Sequence, residues 1–376
     1  MPKLLLPGSP APWFKCRTRA NPDFVFNTIA GRYIVLFFFG SSETPVSAKI
    51  LDEILAQRSR FNDSDLSFLG VSTDPQDEGR DRLADAVPGI RYFWDANRSI
   101  SQLYGTLHPD GTQEPVIYLI DPTLRIVGSL KPALNPETSI ASLFALLDSL
   151  PKARAPYVAP LQAPVLVLPR VFEPELCEAL IAYYTIHGGS ESGFMRESKG
   201  KTILVTDPRH KRRRDCTLED ERLQKACVAR IRERLMPEIQ KSFQFAATRI
   251  ERQIIACYDA TDQAHFRPHR DNTTSGTAHR RFAVSLFLGS EEYEGGFIRF
   301  PEFGPALYRA PQGGAVVFSC SLLHEATPVT KGKRYMYLPF LYDEAAAKIR
   351  RANLPSLEKR EEQHAWIEHA SQGVPS

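Results

Sequence analysis

Two histidines and one aspartate have the residue types and the spacing of a metal site. His269 and Asp271 are separated by one residue on a segment predicted to be extended, where alternation places both side chains on one face. His324 follows a short apolar strand predicted at residues 315–319. Two imidazoles and a carboxylate form the facial set that holds Fe(II) in non-heme oxygenases and leaves the other positions open. These side chains therefore predict an iron site that can also accept a co-substrate and oxygen.

A guanidinium at a suitable distance along the chain supports this interpretation. Arg334 lies ten residues beyond His324, on the next predicted strand. The planar fork of an arginine matches a carboxylate through two parallel hydrogen bonds. The distal carboxylate of 2-oxoglutarate requires such a group while the keto-acid end of that molecule chelates iron. An H-x-D pair alone would be a weak signal, whereas the four residues together are specific.

The surrounding sequence resembles a known family. Its motifs are Cys-Tyr-Asp at 257–259, a Gly-Gly strand at 294–301, and a P-x-x-G turn with its strand at 311–318. With these motifs, residues 164–343 resemble the prolyl 4-hydroxylase-like branch of the Fe(II)/2-oxoglutarate dioxygenases. The resemblance implies a double-stranded β-helix (jelly roll) with flanking helices. It also implies that Tyr258 donates a hydrogen bond to 2-oxoglutarate.

The same resemblance implies an activity. His269, Asp271 and His324 would be the metal ligands and the catalytic centre, and Arg334 and Tyr258 would bind the co-substrate. We expect hydroxylation of a C–H bond in a prolyl or other residue of a protein or peptide. Fe(II), 2-oxoglutarate and O2 would be needed, succinate and CO2 would be released, and ascorbate would bind as a reductant. The alternative is a non-catalytic sensor that binds iron and 2-oxoglutarate and docks partners through its first domain.

Short apolar stretches separated by Gly and Pro make the second half mainly β. Strands of this length and spacing are typical of an antiparallel sandwich or jelly roll. The predicted strands lie at 165–168, 249–258, 281–288, 296–300, 314–319 and 334–341. Two helices are predicted before most of them, at 173–186 and at 218–243, the second bent near Pro237.

The first half has an α/β pattern. A continuous apolar run at 33–39 predicts a strand buried on both faces, and the 3.6-residue periodicity after it predicts a helix over 46–55. Further strands are predicted at 66–71, 116–120 and 125–129, and further helices at 77–86 and 136–150. Alternating strands and helices imply a sheet covered on both faces.

Residues 1–150 resemble the peroxiredoxins (AhpC/TSA), which have a thioredoxin fold. The resemblance rests on the opening at 8–14, the loop at 38–47 and the late strand at 118–122. The family places its peroxidatic cysteine where this chain has Ser47. A serine hydroxyl cannot act as a low-pKa thiolate or be oxidised to a sulfenic acid. We therefore expect a scaffold or docking domain that is not a peroxidase, with residual redox activity as the other interpretation.

The overall organisation is predicted as two domains joined by a linker. Residues 1–150 and 164–343 are the domains, 151–163 is a proline-rich linker, and 344–376 is a charged helical tail that packs on the surface or mediates self-association as a homo-oligomer. Six cysteines without C-x-x-C spacing favour reduced thiols in the cytoplasm. No apolar run reaches the length of a membrane span, and a net charge of +3 makes nucleic acid an improbable partner.

The basic run at 209–214 has three interpretations. It is a solvated loop before the second helix, with Asp215 and Thr217 as helix caps, or it docks substrate or another protein, or it contacts nucleic acid. The solvated loop is the interpretation we weight most heavily.

Overall fold

A computed structural model describes residues 3–132, 136–152, 156–289 and 292–357 of the 376-residue chain. Its internal contacts divide the chain into two compact units, Met1–Tyr157 and Val158–Ser376. The predicted fold class, α/β followed by mainly β, is confirmed, while the predicted limits of the domains and of the linker stay a prediction. Within the described ranges, no helix has both the length and the apolar character that a bilayer crossing requires.

The first unit is built on a five-stranded sheet. Its regular elements are β1 (Lys15–Cys16), β2 (Phe24–Val25), β3 (Tyr33–Gly40), α1 (Pro45–Ala56), β4 (Leu66–Ser72), β5 (Ile90–Trp94), α2 (Ser99–Leu103), β6 (Val116–Ile120), β7 (Ile126–Leu130) and α3 (Pro136–Ser149). The strand order is β5-β4-β3-β6-β7, with β3 parallel to β4 and antiparallel to β6. This is the thioredoxin-like arrangement that the sequence predicted.

The central strand β3 is buried on both faces because each face has its own apolar cluster. Val35, Phe37 and Phe39 pack with α1 and α3, whereas the alternate side chains of the strand pack with α2 and the N-terminal segment. Alternation along a strand sends successive side chains to opposite faces, so a strand covered on both sides must be apolar throughout.

The helix predicted at 77–86 is wrong. The structure has two short 3-10 turns there, Asp77–Gly79 and Asp81–Leu83. The fully buried carboxylate of Asp77 accepts hydrogen bonds from the backbone and hydroxyl of Ser42 and from the hydroxyl of Ser72. These tertiary contacts hold the segment against the sheet and outweigh its helical pattern.

Ser47 lies in the first turn of α1, the helix that follows β3 along the chain. Its side chain is completely buried. Its hydroxyl donates to the carbonyl of Phe39 at 2.8 Å, and the hydroxyl of Thr44 donates to Ser47 at 2.7 Å. The serine therefore serves as part of the hydrogen bonding at the helix start. Cys16, the cysteine of this unit, has a thiol whose pKa is raised to about 11 by burial and by the charge of Asp95.

The second unit contains the helices and short strands that the sequence predicted. The elements are β8 (Leu166–Leu168), α4 (Pro174–His187), β9 (Ser190–Glu191), β10 (Phe194–Ser198), β11 (Lys201–Val205), β12 (Lys211–Arg212), β13 (Arg214–Thr217), α5 (Glu221–Arg230), α6 (Met236–Phe243), β14 (Arg249–Glu251), β15 (Ile254–Asp259), β16 (His265–His269), β17 (Phe282–Phe287), β18 (Glu294–Gly295), β19 (Ile298–Arg299), β20 (Leu307–Tyr308), β21 (Ala315–Ser319), β22 (His324–Ala326), β23 (Val329–Lys331), β24 (Lys333–Tyr337), β25 (Phe340–Tyr342) and α7 (Glu344–Asn353).

Two antiparallel sheets enclose the interior of this unit. The larger sheet runs β14-β25-β17-β24-β15-β13-β9, and the smaller runs β12-β16-β22-β19-β20. Helices α4 to α6 cover the outer face of the larger sheet, where Ile255 and Cys257 of β15 point. Ala256 and Tyr258 of the same strand point the other way, to the cluster between the sheets. The alternation of β15 thus delivers Tyr258 to the interior.

The long second helix is interrupted where the sequence predicted. A π-helical turn, Ile231–Leu235, separates α5 from α6 and ends just before Pro237. A proline has no N–H to donate and crowds the preceding turn, which favours such an irregularity. The predicted caps are wrong: Asp220 caps the helix through the backbone N–H groups of Arg222 and Leu223.

The tail begins as predicted, with Asp343 capping α7 through the backbone N–H of Ala346. A 3-10 turn at Leu354–Ser356 ends the described part of the chain, apart from Leu357. The rest of the tail that is predicted to be helical, residues 358–376, lies outside the described residues.

Candidate metal centre and its cavity

The ends of two paired strands bring the predicted metal ligands together. His269 closes β16 and His324 opens β22, and these residues are direct partners in the antiparallel register. Asp271 is two residues past the end of β16, in a turn rather than on the predicted extended segment. Its backbone N–H donates to the carbonyl of Cys320 at 3.0 Å, which fixes the turn against the loop before β22. The loop contact, and not strand alternation, therefore positions the aspartate.

The three side chains converge on one point. One ligand atom from each lies within 4.8 Å of the others. The Asp271 carboxylate is 3.6 Å from Nε2 of His269 and 3.3 Å from Nε2 of His324. Nδ1 of His269 donates to the carbonyl of Arg267, and Nδ1 of His324 donates to that of Leu322. Both Nε2 atoms then direct lone pairs toward a carboxylate, an arrangement that a divalent cation fits and stabilises.

The protonation states agree with this fit. Burial, together with the nearby charge of His269, lowers the pKa of His324 to about 4, so its imidazole is neutral at pH 7. Burial alone would raise the pKa of Asp271, but the imidazoles of His324 and His269, which are protonated in the acid range where this carboxylate titrates, hold it well below the usual range. A neutral imidazole and an ionised carboxylate are the forms that bind a metal ion.

Arg334 and Tyr258 lie side by side on adjacent strands of the larger sheet. They are register partners on β24 and β15, and the guanidinium carbon lies 4.9 Å from the centre of the Tyr258 ring. Arg334 is only 2% exposed, its Nε has no hydrogen-bond partner, and none of the described carboxylates pairs with it. Burial lowers the pKa of this guanidinium. A buried cation without an anion is costly, so the arrangement suits an anionic ligand.

Gly296 makes room for that guanidinium. Its φ of +62° belongs to the left-handed region, and a Cβ on it would lie 2.7 Å from Cδ of Arg334 and 2.9 Å from Cγ2 of Val329. The glycine of the Gly-Gly motif thus permits both the turn of the chain and the close approach of the arginine.

The predicted site residues line one cavity of about 790 Å3, between the two sheets. The cavity is also lined by charged side chains that sequence reasoning did not assign to the site, and several of them interact with one another or with the site residues. Among them are Lys211, Arg213, Asp215, Arg252 and Arg280. Alternation in the basic run was the available signal for two of them, because Lys211 and Arg213 point inward and are buried while Arg212 and Arg214 are exposed.

The favoured interpretation of the basic run as a solvated loop is therefore wrong for Lys211 and Arg213. Arg213 forms a two-fold ion pair with Asp215 and donates to the hydroxyl of Tyr258 at 3.3 Å. Lys211 donates to the hydroxyl of Ser192 at 2.7 Å. Burial first, and then the charge of Arg213, hold the pKa of Lys211 well below its usual range.

A second buried network lies next to the candidate metal ligands. Glu251 is 1% exposed and pairs with His279 and with Arg280, whose Nη2 lies 2.9 Å from the carboxylate. Arg280 also reaches toward the carbonyl of Asp271, at 3.5 Å. Burial alone would raise the pKa of Glu251, but the charge of Arg280 and the hydrogen bond of His279 hold it far below normal.

Comparison with protein families assigns both units. Residues 7–129 match the sequence model of the AhpC/TSA family, and residues 254–342 match that of the 2OG-Fe(II) oxygenase superfamily. The chain joins an AhpC/TSA domain to a 2OG-Fe(II) oxygenase domain. Both resemblances inferred from the sequence are thereby confirmed. The oxygenase family implies Fe(II), 2-oxoglutarate and O2, and the two histidines and the aspartate converge within its matched segment.

Curated relatives of the oxygenase domain are hydroxylases. A PKHD-type hydroxylase of Azoarcus sp. (strain BH72) is 34% identical over 89 residues, which are 22% of this chain and 39% of that protein. A PKHD-type hydroxylase of Synechococcus sp. (strain JA-2-3B'a(2-13)) is 31% identical over 88 residues, 22% of this chain and 38% of that protein. The chain thus spans about two fifths of the length of the curated relatives it matches.

Solved structures are similar to each unit separately. Mycobacterium tuberculosis AhpC is 20% identical with a TM-score of 0.33, covering 39% of this chain and 93% of that chain. A Pseudomonas putida prolyl-4-hydroxylase is 16% identical with a TM-score of 0.37, covering 49% of this chain and 94% of that chain.

Proposed function

We propose that the second unit is an Fe(II)- and 2-oxoglutarate-dependent dioxygenase that hydroxylates a C–H bond and releases succinate and CO2. The observation that carries the proposal is the convergence of His269, Asp271 and His324 in a cavity whose wall holds the unpaired guanidinium of Arg334. The three ligands would hold the iron, and Arg334 would bind the distal carboxylate of 2-oxoglutarate.

Hydrogen bonds orient the side chains of the site for these roles. The carbonyls that accept from Nδ1 of His269 and of His324 orient the rings, so that Nε2 of each can bind the metal. Tyr258 is held by Arg213, which donates to its hydroxyl oxygen, and the phenol proton is then available to the co-substrate. The bound iron and 2-oxoglutarate supply the activation of oxygen that amino-acid side chains cannot provide. Apolar side chains of the cluster between the sheets, such as Phe318 and Phe340, form part of the cavity wall.

The substrate of the proposal is a prolyl or other residue of a protein or peptide. Its support is the name of the curated relatives, which are PKHD-type hydroxylases, and the resemblance of the site motifs to the prolyl 4-hydroxylase-like branch. Ascorbate would serve as a reductant that keeps the iron in its ferrous state.

Succinate formation from 2-oxoglutarate is the test. The full chain is supplied with Fe(II), ascorbate and air, first without an added substrate and then with proline-containing peptides. We expect succinate from the native chain and at least a hundredfold less from Asp271→Ala. Asp262→Ala, which removes an exposed carboxylate outside the cavity, is the matched control and should keep the native rate. Equal rates from the native chain and Asp271→Ala would refute the proposed metal site.

The sensor alternative gives a different result in the same experiment. Tight binding of iron and 2-oxoglutarate by calorimetry, without succinate under any peptide condition, would favour it. Failure to bind either one would refute both functions.

For the first unit we propose a scaffold or docking role without thiol peroxidase chemistry. The buried hydrogen bonds of Ser47 and the raised pKa of Cys16 support this. Peroxide consumption by the full chain in the presence of a thiol reductant is the check. Rapid turnover that persists after chelation of iron would refute it.

A further inference from the structure

The arginines that line the cavity differ in their partners. Arg213 pairs with Asp215, Arg270 pairs with Glu302, and Arg280 pairs with Glu251. Arg252 and Arg334 form no ion pair with any residue in the described parts of the chain. The cavity therefore presents two guanidinium groups whose counter-charges must come from elsewhere.

Arg252 is held in an unusual backbone conformation. It connects β14 to β15 with a φ of +66°. This is the left-handed region, which residues other than Gly, Asn and Asp rarely adopt. Its Nε donates one long hydrogen bond, of 3.3 Å, to the carbonyl of Leu338. Its guanidinium carbon lies 4.7 Å from the centre of the Phe340 ring. Strain and a poorly satisfied, partly buried cation together cost stability, which is typical of a binding residue.

Electrostatics point the same way. Burial and the neighbouring charge of Arg213 lower the pKa of Arg252 to about 10, which still leaves the guanidinium charged at pH 7. Asp215 and Asp271 are the carboxylates that favour its charge, but the first is paired with Arg213 and the second belongs to the proposed metal site. Neither carboxylate is therefore available to Arg252.

A charge balance over the occupied site leaves Arg252 and Lys211 as the cavity cations without a carboxylate among the described residues, and Lys211 donates instead to the hydroxyl of Ser192 and the carbonyl of Gly193. Asp271 and the 2-oxoglutarate dianion carry three negative charges, and a divalent iron with Arg334 carries three positive charges. The co-substrate complex is thus neutral, and the charge of Arg252 stays uncompensated beside it. A single guanidinium fork matches a monoanionic carboxylate.

We propose that Arg252 is a specificity-determining residue that binds a carboxylate of the substrate that is hydroxylated. The inference rests on the proposed function, because it presupposes that Arg334 is occupied by 2-oxoglutarate. The carboxylate belongs either to a small organic acid or to an acidic residue of a peptide, and both present the same fork-matching group.

Matched ligand pairs test this proposal. The full chain is loaded with Fe(II) and saturating 2-oxoglutarate without oxygen and titrated by calorimetry. One arm compares N-acetyl-L-proline with N-acetyl-L-prolinamide, and the other compares the peptides acetyl-Ala-Pro-Glu-amide and acetyl-Ala-Pro-Gln-amide. In at least one arm we expect the carboxylate ligand to bind about tenfold more tightly than its amide. The arm with the preference identifies the source of the carboxylate.

Three variants locate the preference. Arg252→Met keeps most of the side-chain volume and should abolish it, whereas Arg252→Lys should retain part of it. Arg281→Met is the control, since Arg281 donates to the carbonyl of Ala278 and does not line the cavity. This control should keep the full preference.

The thermal midpoint separates binding from a structural role. Arg252→Met keeps the left-handed backbone but removes an unpaired cation, so its Tm should be equal to or above that of the native chain. A large fall in Tm for both Arg252 variants would assign the guanidinium to the fold and overturn the proposal.

Two binding results would also overturn it. One is that neither arm shows a preference for the carboxylate ligand, or that Arg252→Met leaves the preference unchanged. The other is a tenfold weaker binding of 2-oxoglutarate itself by Arg252→Met, which would place Arg252 in the co-substrate site. If the native chain does not bind 2-oxoglutarate at all, the proposed function fails first and this inference fails with it.

Discussion

Replacement of Gly296 by alanine should weaken 2-oxoglutarate binding without removing the metal ligands. The new methyl group would lie 2.7 Å from Cδ of Arg334, whereas carbon atoms normally approach to about 3.7 Å. The arginine must therefore retreat by about 1 Å, because Val329 blocks the methyl group on its other side at 2.9 Å. Loss of one charge-assisted hydrogen bond of the fork would cost about 1.5–3 kcal/mol, which corresponds to roughly a 10- to 150-fold weaker binding of the co-substrate.

The expected result is a higher KM for 2-oxoglutarate with a smaller change in kcat, since the distal carboxylate is remote from the reacting atoms. Calorimetry with the Fe(II) form measures the affinity, and thermal denaturation measures the cost in stability. Gly200→Ala is the control: its φ is +73°, and nothing lies within 4 Å of the added methyl group. Both variants should lose about 1 kcal/mol from left-handed backbone strain. An unchanged affinity for 2-oxoglutarate in Gly296→Ala would refute the role given to Arg334.

Three further predictions concern the proposed iron site and the carboxylates of Asp215 and Glu251. Chelation of iron should lower the Tm of the native chain, because bound metal at a hundred times its Kd contributes about 2.7 kcal/mol, and should leave that of Asp271→Ala unchanged. Arg213→Ser should destabilise the second unit by about 3–5 kcal/mol in urea unfolding, because Asp215 then lacks its partner, whereas Arg212→Ser should change stability by less than about 0.5 kcal/mol. The ionised Glu251 should contribute stability that is complete above the unfolded-state pKa of about 4.3 and is lost as the pH falls toward its lower folded-state pKa. The free energy of unfolding in urea should therefore fall more steeply on acidification for the native chain than for E251Q. Equal dependence of this free energy on pH in the two proteins would contradict the assignment.

Local patterns predicted much of the architecture correctly. The apolar run of β3 required a sheet covered on both faces, and the Gly- and Pro-separated strands of the second half required a sandwich of short strands. The helix predicted at 77–86 failed because the buried carboxylate of Asp77 binds hydroxyl and backbone groups that are distant in sequence. Such contacts are invisible to periodicity, which reports only which face of a segment is apolar.

In the candidate site, too, the sequence determined some features and the tertiary structure decided others. By residue type and spacing, the sequence determined that His269, Asp271, His324 and Arg334 could form an iron and 2-oxoglutarate site, because few other chemistries need that set. Only the tertiary structure decided how Asp271 reaches the histidines, since a loop contact and not the strand turns it inward. It also decided that Arg252 is left without a carboxylate, because ion pairing depends on which side chains the fold brings within a few ångströms.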